Sequence, residues 1–325
     1  MIIVTGGAGF IGSCMVATLN AAGRDDILVV DNLRTGDKWK NLVDHSFIDI
    51  VSKEQFLEDI EHGRAPSDID GIIHLGACSA TTERDADYLL ENNHHYSMAV
   101  ANLALKRNAR FIYASSAATY GSGADGYADT TVDLRPLNMY GYSKHLFDMW
   151  MRRHGFDARA VGLKFFNVFG PNEYHKGDMA SMVYKAVQQI QATGRVRLFR
   201  SNEARFGDGG QMRDFVYVKD CCRIMRDLLL ERTDVNGILN LGTGRARSWN
   251  DLMNAVFAAM DREPVIDYVD MPVHLAGQYQ NFTEADMSSY ERQMFPVVFE
   301  ELEDSVADYV RGHLLAEWPY LHHRS

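Results

Sequence analysis

The sequence is poor in the residues that mark secreted or metal-stabilised proteins. It has only 4 cysteines in 325 residues, and its 12 histidines show no spacing typical of a metal site. Cys221 and Cys222 are adjacent, which disfavours a disulfide between them, and Cys14 and Cys78 have no neighbouring cysteine. We therefore expect a cytoplasmic protein from a reducing compartment, without a bound metal.

Long apolar runs and internal repeats are also lacking. No run approaches the roughly 20 apolar residues that a membrane-spanning helix needs, and the apolar stretch from Met1 to Val4 is too short for a signal peptide. Without a fixed-period repeat or a low-complexity block, solenoid and array folds are excluded. We expect a protein that is neither exported nor inserted into a membrane.

Basic residues are in the minority, with 33 Lys and Arg against 44 Asp and Glu and a net charge of −11. This balance disfavours nucleic acid and acidic membranes as partners. Hydrophobic residues make up 46% of the chain, enough to fill a large core. Because this length exceeds what one compact core usually holds, we predict two lobes, residues 1–170 and 171–325. Some strands and helices of the second half should return to the first lobe.

Short apolar runs rich in β-branched residues alternate with amphipathic stretches in the first half of the chain. Runs that are apolar at nearly every position suit strands buried on both faces, and their alternation with helices predicts a doubly wound, parallel α/β sheet. The predicted strands are Ile2 to Thr5, Ile27 to Asp31, Gly71 to Leu75, Arg110 to Ala114 and Arg159 to Phe165, with helices over Ile11 to Ala22 and Asp85 to Arg107.

Beyond Gly170-Pro171 the pattern is less regular and predicts a smaller capping lobe. Its predicted elements are a helix over Met179 to Gln191, strands near Arg197 to Phe199, Arg213 to Val218 and Ile238 to Leu241, and a final helix over Phe299 to Leu315.

Three glycines, Gly6, Gly9 and Gly12, are spaced three apart between the first strand and the first helix. In a dinucleotide-binding fold the first permits a tight turn, the second lets the backbone approach a pyrophosphate, and the third lets the helix pack closely on the strand. Free N–H groups at the helix N-terminus then bind the phosphate oxygens. Because Asp31 follows at the end of the second strand, the pattern predicts a Rossmann-type site for NAD or NADP.

These residues leave the choice between NAD and NADP open. Asp31 ordinarily binds the ribose hydroxyls of NAD and repels the additional phosphate of NADP. Arg34, Lys38 and Lys53 are cations that suit a 2′-phosphate, but they suit an exposed basic loop equally well.

Tyr140 and Lys144 are four residues apart and therefore share one face of a predicted helix. A free tyrosine has a pKa of about 10, and a lysine cation beside it lowers that value. Ser116 follows the predicted strand Arg110 to Ala114 at the carboxyl edge of the sheet, where it can hydrogen-bond the same reacting oxygen. This set predicts a site in which Tyr140 is the base for an alcohol.

Together these motifs resemble those of the extended short-chain dehydrogenase/reductase superfamily, which contains the nucleotide-sugar epimerases and dehydratases. The resemblance covers essentially the whole chain. Further motifs that carry it are His74-Leu75-Gly76-Ala77, Asn92-Asn93, Phe166 to Pro171, Arg213 to Val218 and Asn240 to Gly244.

Within this superfamily the sequence is similar to the ADP-heptose 6-epimerases, above all through His175-Lys176-Gly177, and also through Asp31-Asn32-Leu33 and residues 277–280. The resemblance implies a homo-oligomeric cytoplasmic isomerase that makes a precursor of the lipopolysaccharide core and keeps NADP tightly bound. Its implied reaction is inversion at C6 of the heptose of ADP-D-glycero-D-manno-heptose, by transient oxidation and re-reduction.

The resemblance also implies roles for individual residues. Tyr140 and Lys176 would be bases on opposite sides of the reacting carbon, assisted by Ser116 and Lys144. The cofactor would contact Gly6, Gly9, Phe10, Ile11, Gly12, Asp31, Asn32, Lys38, Lys53, Leu75, Gly76, Ala77, Cys78, Ser79, Asn92, Lys144, Val168 and Lys176. The nucleotide sugar would contact Asn167, Asp178, Lys185, Phe199, Arg200, Ser201, Asn202, Arg213 and Tyr279.

The chain departs from the family pattern around the implied sugar pocket. Asp178 stands where the family usually has a small hydroxyl residue, and an acidic side chain is not expected to bind a pyrophosphate. Lys185, Ala276 and Gln278 also replace more typical neighbours. Without the resemblance, Lys176 fits better as a phosphate or ribose anchor, or as a solvated loop lysine, than as a base.

Two other functions stay open. A 4-epimerase of a UDP-sugar shares the fold, Tyr140 and Lys144, and a non-catalytic NADP-binding protein can be built on the same fold. A dehydratase is disfavoured because Ala117 and Ala118 occupy the place of the acidic pair that helps to eliminate water.

Overall fold

The computed structural model describes residues 1–272 and 279–322, which form twelve strands and ten α-helices. The strands are β1 (Ile2–Thr5), β2 (Ile27–Val30), β3 (Asp49–Val51), β4 (Gly71–His74), β5 (Arg110–Ser116), β6 (Ala160–Phe165), β7 (Asn167–Phe169), β8 (Val196–Phe199), β9 (Met212–Tyr217), β10 (Gly237–Leu241), β11 (Ala246–Ser248) and β12 (Ile266–Val269). The helices are α1 (Phe10–Ala21), α2 (Lys53–Glu61), α3 (Ala86–Leu90), α4 (Tyr96–Lys106), α5 (Met139–Arg153), α6 (Met182–Thr193), α7 (Val218–Leu230), α8 (Trp249–Ala259), α9 (Ser288–Arg292) and α10 (Leu302–Tyr309).

Seven strands form the main sheet in the order β10-β6-β5-β4-β1-β2-β3, and all neighbours are parallel. The chain order reverses at β1, so the helix that follows β1 and the helices that follow β4 pack on opposite faces of the sheet. In a doubly wound sheet, a crevice for ligands opens at this point. The predicted doubly wound parallel α/β fold is confirmed.

Helices cover both faces of this sheet. Since side chains alternate along a strand, Ile2 and Val4 of β1 join the core on one face and Ile3 joins the core on the other. Residues of α1 and α7 pack in the first core, and residues of α2, α4 and α5 pack in the second. These apolar faces hold the ends of α1 and α5 at the carboxyl edge of the sheet.

The second half of the chain adds two small sheets. One has the order β11-β9-β7, with β7 parallel and β11 antiparallel to β9, and the other pairs β8 with β12 in parallel. Strand β10 instead joins the main sheet beside β6. The division at residue 170 into two lobes stays a prediction. Strand β10 comes from the second half of the chain but belongs to the sheet of the first half. No helix in residues 1–272 or 279–322 is long and apolar enough to cross a bilayer.

Several predicted boundaries differ from the structure. Strand β5 runs to Ser116, beyond the predicted end at Ala114, because Ser116 still pairs in register with Phe165. Helix α6 begins at Met182 because Ser181 caps it, accepting a hydrogen bond from Tyr184 N.

The other differences concern helix continuity. The predicted helix over Asp85 to Arg107 contains a wider π-helical turn at Glu91–His95. The predicted final helix begins later, at Leu302, because Glu301 has an extended backbone. The segment Phe215 to Tyr217 is buried in the core.

Candidate active site

The loop between β1 and α1 forms one wall of the candidate site. Gly6 has a positive φ of 68°, which glycine adopts without steric cost. A Cβ on Gly12 would lie 2.0 Å from the carbonyl oxygen of Gly6, so α1 can pack this closely on the loop only with glycine there. Gly9 precedes α1, and no side chain among the described residues caps this helix. Its first N–H groups are therefore left for an anionic ligand.

Two cavities adjoin this loop and share Gly6, Asp31, Gly76 and Ala77 in their walls. Their volumes are about 340 Å³ and about 110 Å³. Every residue predicted to bind the cofactor, apart from Val168, lines one of them. The larger cavity adds Gly9, Phe10, Ile11, Gly12, Lys38, Leu75, Ser79, Lys144 and Lys176, and the smaller adds Asn32, Lys53, Cys78 and Asn92.

Charged side chains meet at the end of β2. The Asp31 carboxylate accepts hydrogen bonds from Ala8 N at 2.9 Å and from Lys38 Nζ at 2.5 Å. Lys53 Nζ donates to Asn92 Oδ1 at 2.7 Å. The Lys38 cation offsets the negative charge of Asp31. An anion bound at this end of the cavities is therefore repelled less than it would be by Asp31 alone.

Helix α5 carries Tyr140 and Lys144 into the larger cavity. The helix begins at Met139 because the Asn138 side chain accepts a hydrogen bond from Gly141 N at 2.8 Å. The cap thus fixes the first turn of α5, in which Tyr140 lies.

The electrostatics of this turn are set mainly by burial. Lys144 Nζ donates to the Ala114 carbonyl oxygen at 2.9 Å, and burial lowers the pKa of Lys144 to about 8. Burial raises the pKa of Tyr140, and a hydrogen bond with Ser116 opposes that rise. Ser116, at the end of β5, is thus brought to the Tyr140 hydroxyl. In the protein without ligand, Tyr140 holds its proton, and a nearby cation is needed to release it.

Lys176 enters the same cavity from the turn Tyr174–Met179. Its Nζ lies 5.3 Å from the centre of the Phe10 ring, at the start of α1. Burial lowers the pKa of Lys176, and the nearby Glu173 carboxylate opposes this. A lowered pKa increases the neutral fraction, which a proton-accepting lysine requires.

Glu173 holds the two ends of this turn together. It is buried, and its carboxylate accepts hydrogen bonds from Ser181 N at 2.5 Å and Ser181 Oγ at 2.6 Å. It also accepts one from the Tyr309 hydroxyl of α10 at 3.0 Å. The turn that carries Lys176 is therefore closed by one carboxylate and tied to the last α-helix of the described chain.

A third cavity, of about 1,230 Å³, lies in the second half of the chain. Four predicted substrate residues line it: Asp178, Lys185, Phe199 and Tyr279. Lys185 Nζ donates to the backbone carbonyl oxygen of Asp178 at 2.6 Å, so the lysine reaches the backbone rather than the acidic side chain.

Arg213 lies behind the aromatic wall of this third cavity. Its guanidinium is buried, and its Cζ lies 5.0 Å from the ring centre of Tyr279 and 5.7 Å from that of Trp249. Trp249 Nε1 donates to the Tyr279 hydroxyl at 2.9 Å. Two aromatic side chains thus hold the guanidinium beside the cavity.

Four other predicted substrate residues are not among those lining the third cavity. Asn167 is exposed in β7, and Arg200 forms an ion pair with Asp270 at 3.2 Å. Ser201 and Asn202 follow Arg200 in the same loop. Their assignment to the substrate stays a prediction, and the departures at residues 276 and 278 lie outside the described residues.

Sequence reasoning missed His175 and Trp249 as site residues. His175 lines the larger cavity beside the glycine loop, and its Nδ1 lies 3.3 Å from Asn41 Nδ2. Burial, together with the charges of Lys38 and Lys176, lowers the pKa of His175 to about 4 and keeps the ring neutral. The sequence offered one indication that His175 belongs to the site, namely its position directly before Lys176.

In the described chain, no cluster of three or more His, Cys, Asp or Glu residues is arranged to hold a metal.

Comparison with known proteins agrees with this geometry. Two curated relatives called ADP-L-glycero-D-manno-heptose-6-epimerase match almost the whole chain. The protein from Nitratidesulfovibrio vulgaris (strain DP4) is 57% identical over 99% of this chain and 100% of its own length. The one from Fusobacterium nucleatum is 45% identical over 99% and 100%, respectively.

A solved structure has the same overall fold. The crystal structure of Helicobacter pylori ADP-L-glycero-D-manno-heptose-6-epimerase superposes with a TM-score of 0.82 at 26% identity, covering 96% of this chain and 95% of that one. The NAD dependent epimerase/dehydratase family matches residues 2–242, which include the glycine loop, Tyr140 and Lys144. The chain belongs to the NAD dependent epimerase/dehydratase family.

Proposed function

We propose that the protein inverts C6 of the heptose in ADP-D-glycero-D-manno-heptose, giving the L-glycero isomer. The observation that carries the proposal is that relatives 45–57% identical along the whole chain are named for this activity. The geometry supports it, because Tyr140 and Lys176 reach one cavity from two separate elements. The proposed inversion moves the C6 oxygen from one side of the carbon to the other, so a proton-transfer group on each side suits it.

The residues of the first half fit a nicotinamide dinucleotide. The close packing of Gly12 on Gly6 leaves room for a pyrophosphate at the start of α1, where the N–H groups of the first turn would bind it. When bound, the nicotinamide supplies reversible removal and return of a hydride at the sugar carbon. The family match supports a nicotinamide cofactor.

We infer that the cofactor is NADP. Lys38, which lines the larger cavity, already offsets Asp31, and Lys53 lines the adjoining smaller cavity. These two cations suit a 2′-phosphate, which would accept charge-assisted hydrogen bonds from them. Asp31 then acts as the partner that positions Lys38 rather than as the residue that excludes the phosphate.

Tyr140 and Lys176 divide the proton transfers between them. Tyr140 takes or returns the proton of the C6 hydroxyl on one side, assisted by the Ser116 hydroxyl and by the Lys144 cation. After the ketone formed at C6 turns about its bond to C5, its oxygen lies on the other side, where Lys176 donates a proton to it. Burial lowers the pKa of Lys176, which makes its proton easier to donate and provides the neutral form that the reverse reaction requires.

The third cavity suits the nucleotide part of the substrate. It is lined by the aromatic rings of Phe199 and Tyr279 and by Lys185, and the Arg213 guanidinium lies behind the Tyr279 ring. Aromatic faces stack on a base, and a guanidinium binds a pyrophosphate through two parallel hydrogen bonds.

The experiment that tests the proposal is a substrate trial without added cofactor. Purified protein is incubated with ADP-D-glycero-D-manno-heptose and, separately, with UDP-glucose, and the stereochemistry is followed by proton NMR. We expect conversion of the heptose alone, with the retained dinucleotide identified as NADP by mass spectrometry. Conversion of UDP-glucose alone would indicate a 4-epimerase, and no conversion even with added NAD or NADP would contradict the proposal.

A further inference from the structure

A buried ion pair lies beneath the Tyr140 and Lys144 turn. Lys164 of β6 and Asp148 of α5 are each 1% exposed, and Lys164 Nζ lies 3.0 Å from Asp148 Oδ2. Neither residue lines the cofactor or substrate cavities described above. The proposed reaction therefore does not use them directly.

The hydrogen bonds around this pair are extensive. Asp148 accepts from the Tyr113 hydroxyl at 3.0 Å and from Ser115 Oγ at 2.7 Å. Lys164 Nζ donates to Thr119 Oγ1 at 2.6 Å. Since replacing a buried ion pair by apolar residues often leaves stability unchanged or improved, stability alone does not account for this arrangement.

The pair connects the two elements that carry the reacting groups. Asp148 lies four residues after Lys144 and therefore on the same side of α5. Thr119 Oγ1, which accepts from Lys164, donates to the Ser116 carbonyl oxygen at 2.8 Å. A continuous hydrogen-bonded chain thus runs from α5 through Lys164 to the end of β5.

We propose that the Asp148–Lys164 pair is a positioning unit that holds Ser116 at Tyr140 and places a negative charge near Lys144. This inference rests on the proposed function, because it concerns the reacting groups of that site. Asp148 and Lys164 act through Ser116 and Lys144, and neither touches the substrate in this account.

The charges around Lys144 define what this unit does. Burial lowers the pKa of Lys144 to about 8, and the Asp148 carboxylate opposes that fall, as does Cys78 in the loop after β4. His74 of β4 also faces Lys144, but burial lowers its pKa to about 3 and leaves it neutral. Tyr140 is protonated in the protein without ligand, because burial raises its pKa. Asp148 is therefore the carboxylate that keeps Lys144 charged near neutral pH.

The first test removes both charges. Because a single substitution would leave an unpaired buried charge and endanger folding, the variant is Asp148→Asn/Lys164→Met. We expect it to fold and to lose about 10- to 100-fold in kcat. Its alkaline limb of kcat should also move to lower pH, because Lys144 loses the carboxylate that raises its pKa.

The affinity for NADP, measured between about pH 6 and 10, tests the inference without requiring catalytic activity. The fall in affinity with rising pH should begin at a lower pH in the double variant than in the wild type. A double variant with wild-type kcat and pH dependence would overturn the inference. So would a fall in kcat and in NADP affinity that is equal at every pH, because it would show that the pair does not keep Lys144 charged.

A second variant tests the positioning without changing a charge. Thr119→Val breaks the link from Lys164 to the Ser116 carbonyl, and we expect kcat to fall several-fold with the alkaline limb unmoved. Wild-type kcat in this variant would contradict the positioning role.

The matched control is Asp220→Asn/Arg223→Met, which removes an ion pair of 2.7 Å on α7. We expect this control to keep the wild-type kcat and pH dependence. A wild-type protein inactive on the heptose would contradict the proposed function, whereas the NADP-affinity comparison would still decide the inference about Asp148 and Lys164.

Discussion

Lys38 Nζ lies 2.5 Å from Asp31 Oδ1, so the acidic residue at the end of β2 is paired with a cation from the following loop. Asp31 also accepts a hydrogen bond from Ala8 N in the glycine loop. An aspartate at this place usually favours NAD because it repels a 2′-phosphate. Paired with Lys38, it becomes compatible with NADP.

The first prediction concerns this pair. Lys38→Ala should lower the preference for NADP over NAD by about 10- to 100-fold, because a charge-assisted hydrogen bond to the 2′-phosphate is lost and Asp31 is left unpaired. The measurement is the ratio of the two dissociation constants by calorimetry. Lys40→Ala is the control, since Lys40 pairs with Asp37 at 3.1 Å instead. An unchanged ratio in Lys38→Ala would show that the 2′-phosphate does not bind there.

Tyr140→Phe removes the hydroxyl that transfers the proton. We expect kcat on the heptose to fall by about 100- to 10,000-fold with NADP affinity nearly unchanged. The control is Tyr142→Phe on the same helix, whose side chain is exposed. Rates are measured by proton NMR, and a Tyr140→Phe enzyme as active as the control would exclude Tyr140 as a base.

Gly12→Ala tests the close packing of α1 on the glycine loop. The added Cβ would lie 2.0 Å from the Gly6 carbonyl oxygen, so we expect the free energy of unfolding to fall by about 1–3 kcal/mol and the retained dinucleotide to be lost. Urea denaturation and the absorbance of released dinucleotide measure both effects.

Gly36→Ala is the matched control, because no atom lies within 4 Å of its added Cβ and its φ is −88°. If Gly12→Ala kept its dinucleotide as this control does, the loop would not be the pyrophosphate site.

Arg213→Lys tests the nucleotide end of the substrate. Lysine keeps the charge but loses the planar guanidinium beside Tyr279 and Trp249, so we expect KM to rise about tenfold while kcat changes little. Steady-state kinetics measures both constants. Arg226→Lys on α7 is the control, and a fall in kcat at unchanged KM would place Arg213 in the chemical step instead.

The core of the fold could be predicted from the sequence because its strands are apolar at nearly every position. β1 matches its predicted range, and the ends of β2 and β4 differ from theirs by one residue. Strands β3, β7 and β11 have three residues each, too few to show a period, and were not predicted. Their pairing depends on neighbours that are distant in sequence.

The supporting residues of the site were harder to predict than its reacting groups. Tyr140 and Lys144 have a spacing with chemical meaning, whereas Glu173 acts through Ser181 and Tyr309, which only the fold brings to it. Lys164 did give a signal, because a charged residue within an apolar strand requires a buried partner. Its partner Asp148 lies on a helix whose packing the sequence alone does not fix.

The central claim is that Lys176 performs the second proton transfer, and Lys176→Met tests it most directly. Epimerisation of ADP-D-glycero-D-manno-heptose is followed by proton NMR, with the retained dinucleotide measured in the same sample and Lys219→Met as the control. Lys219 pairs with Asp308 and lines none of the three cavities. We predict a fall in kcat of about 100-fold or more with the dinucleotide retained. Near-normal epimerisation by Lys176→Met would contradict the account.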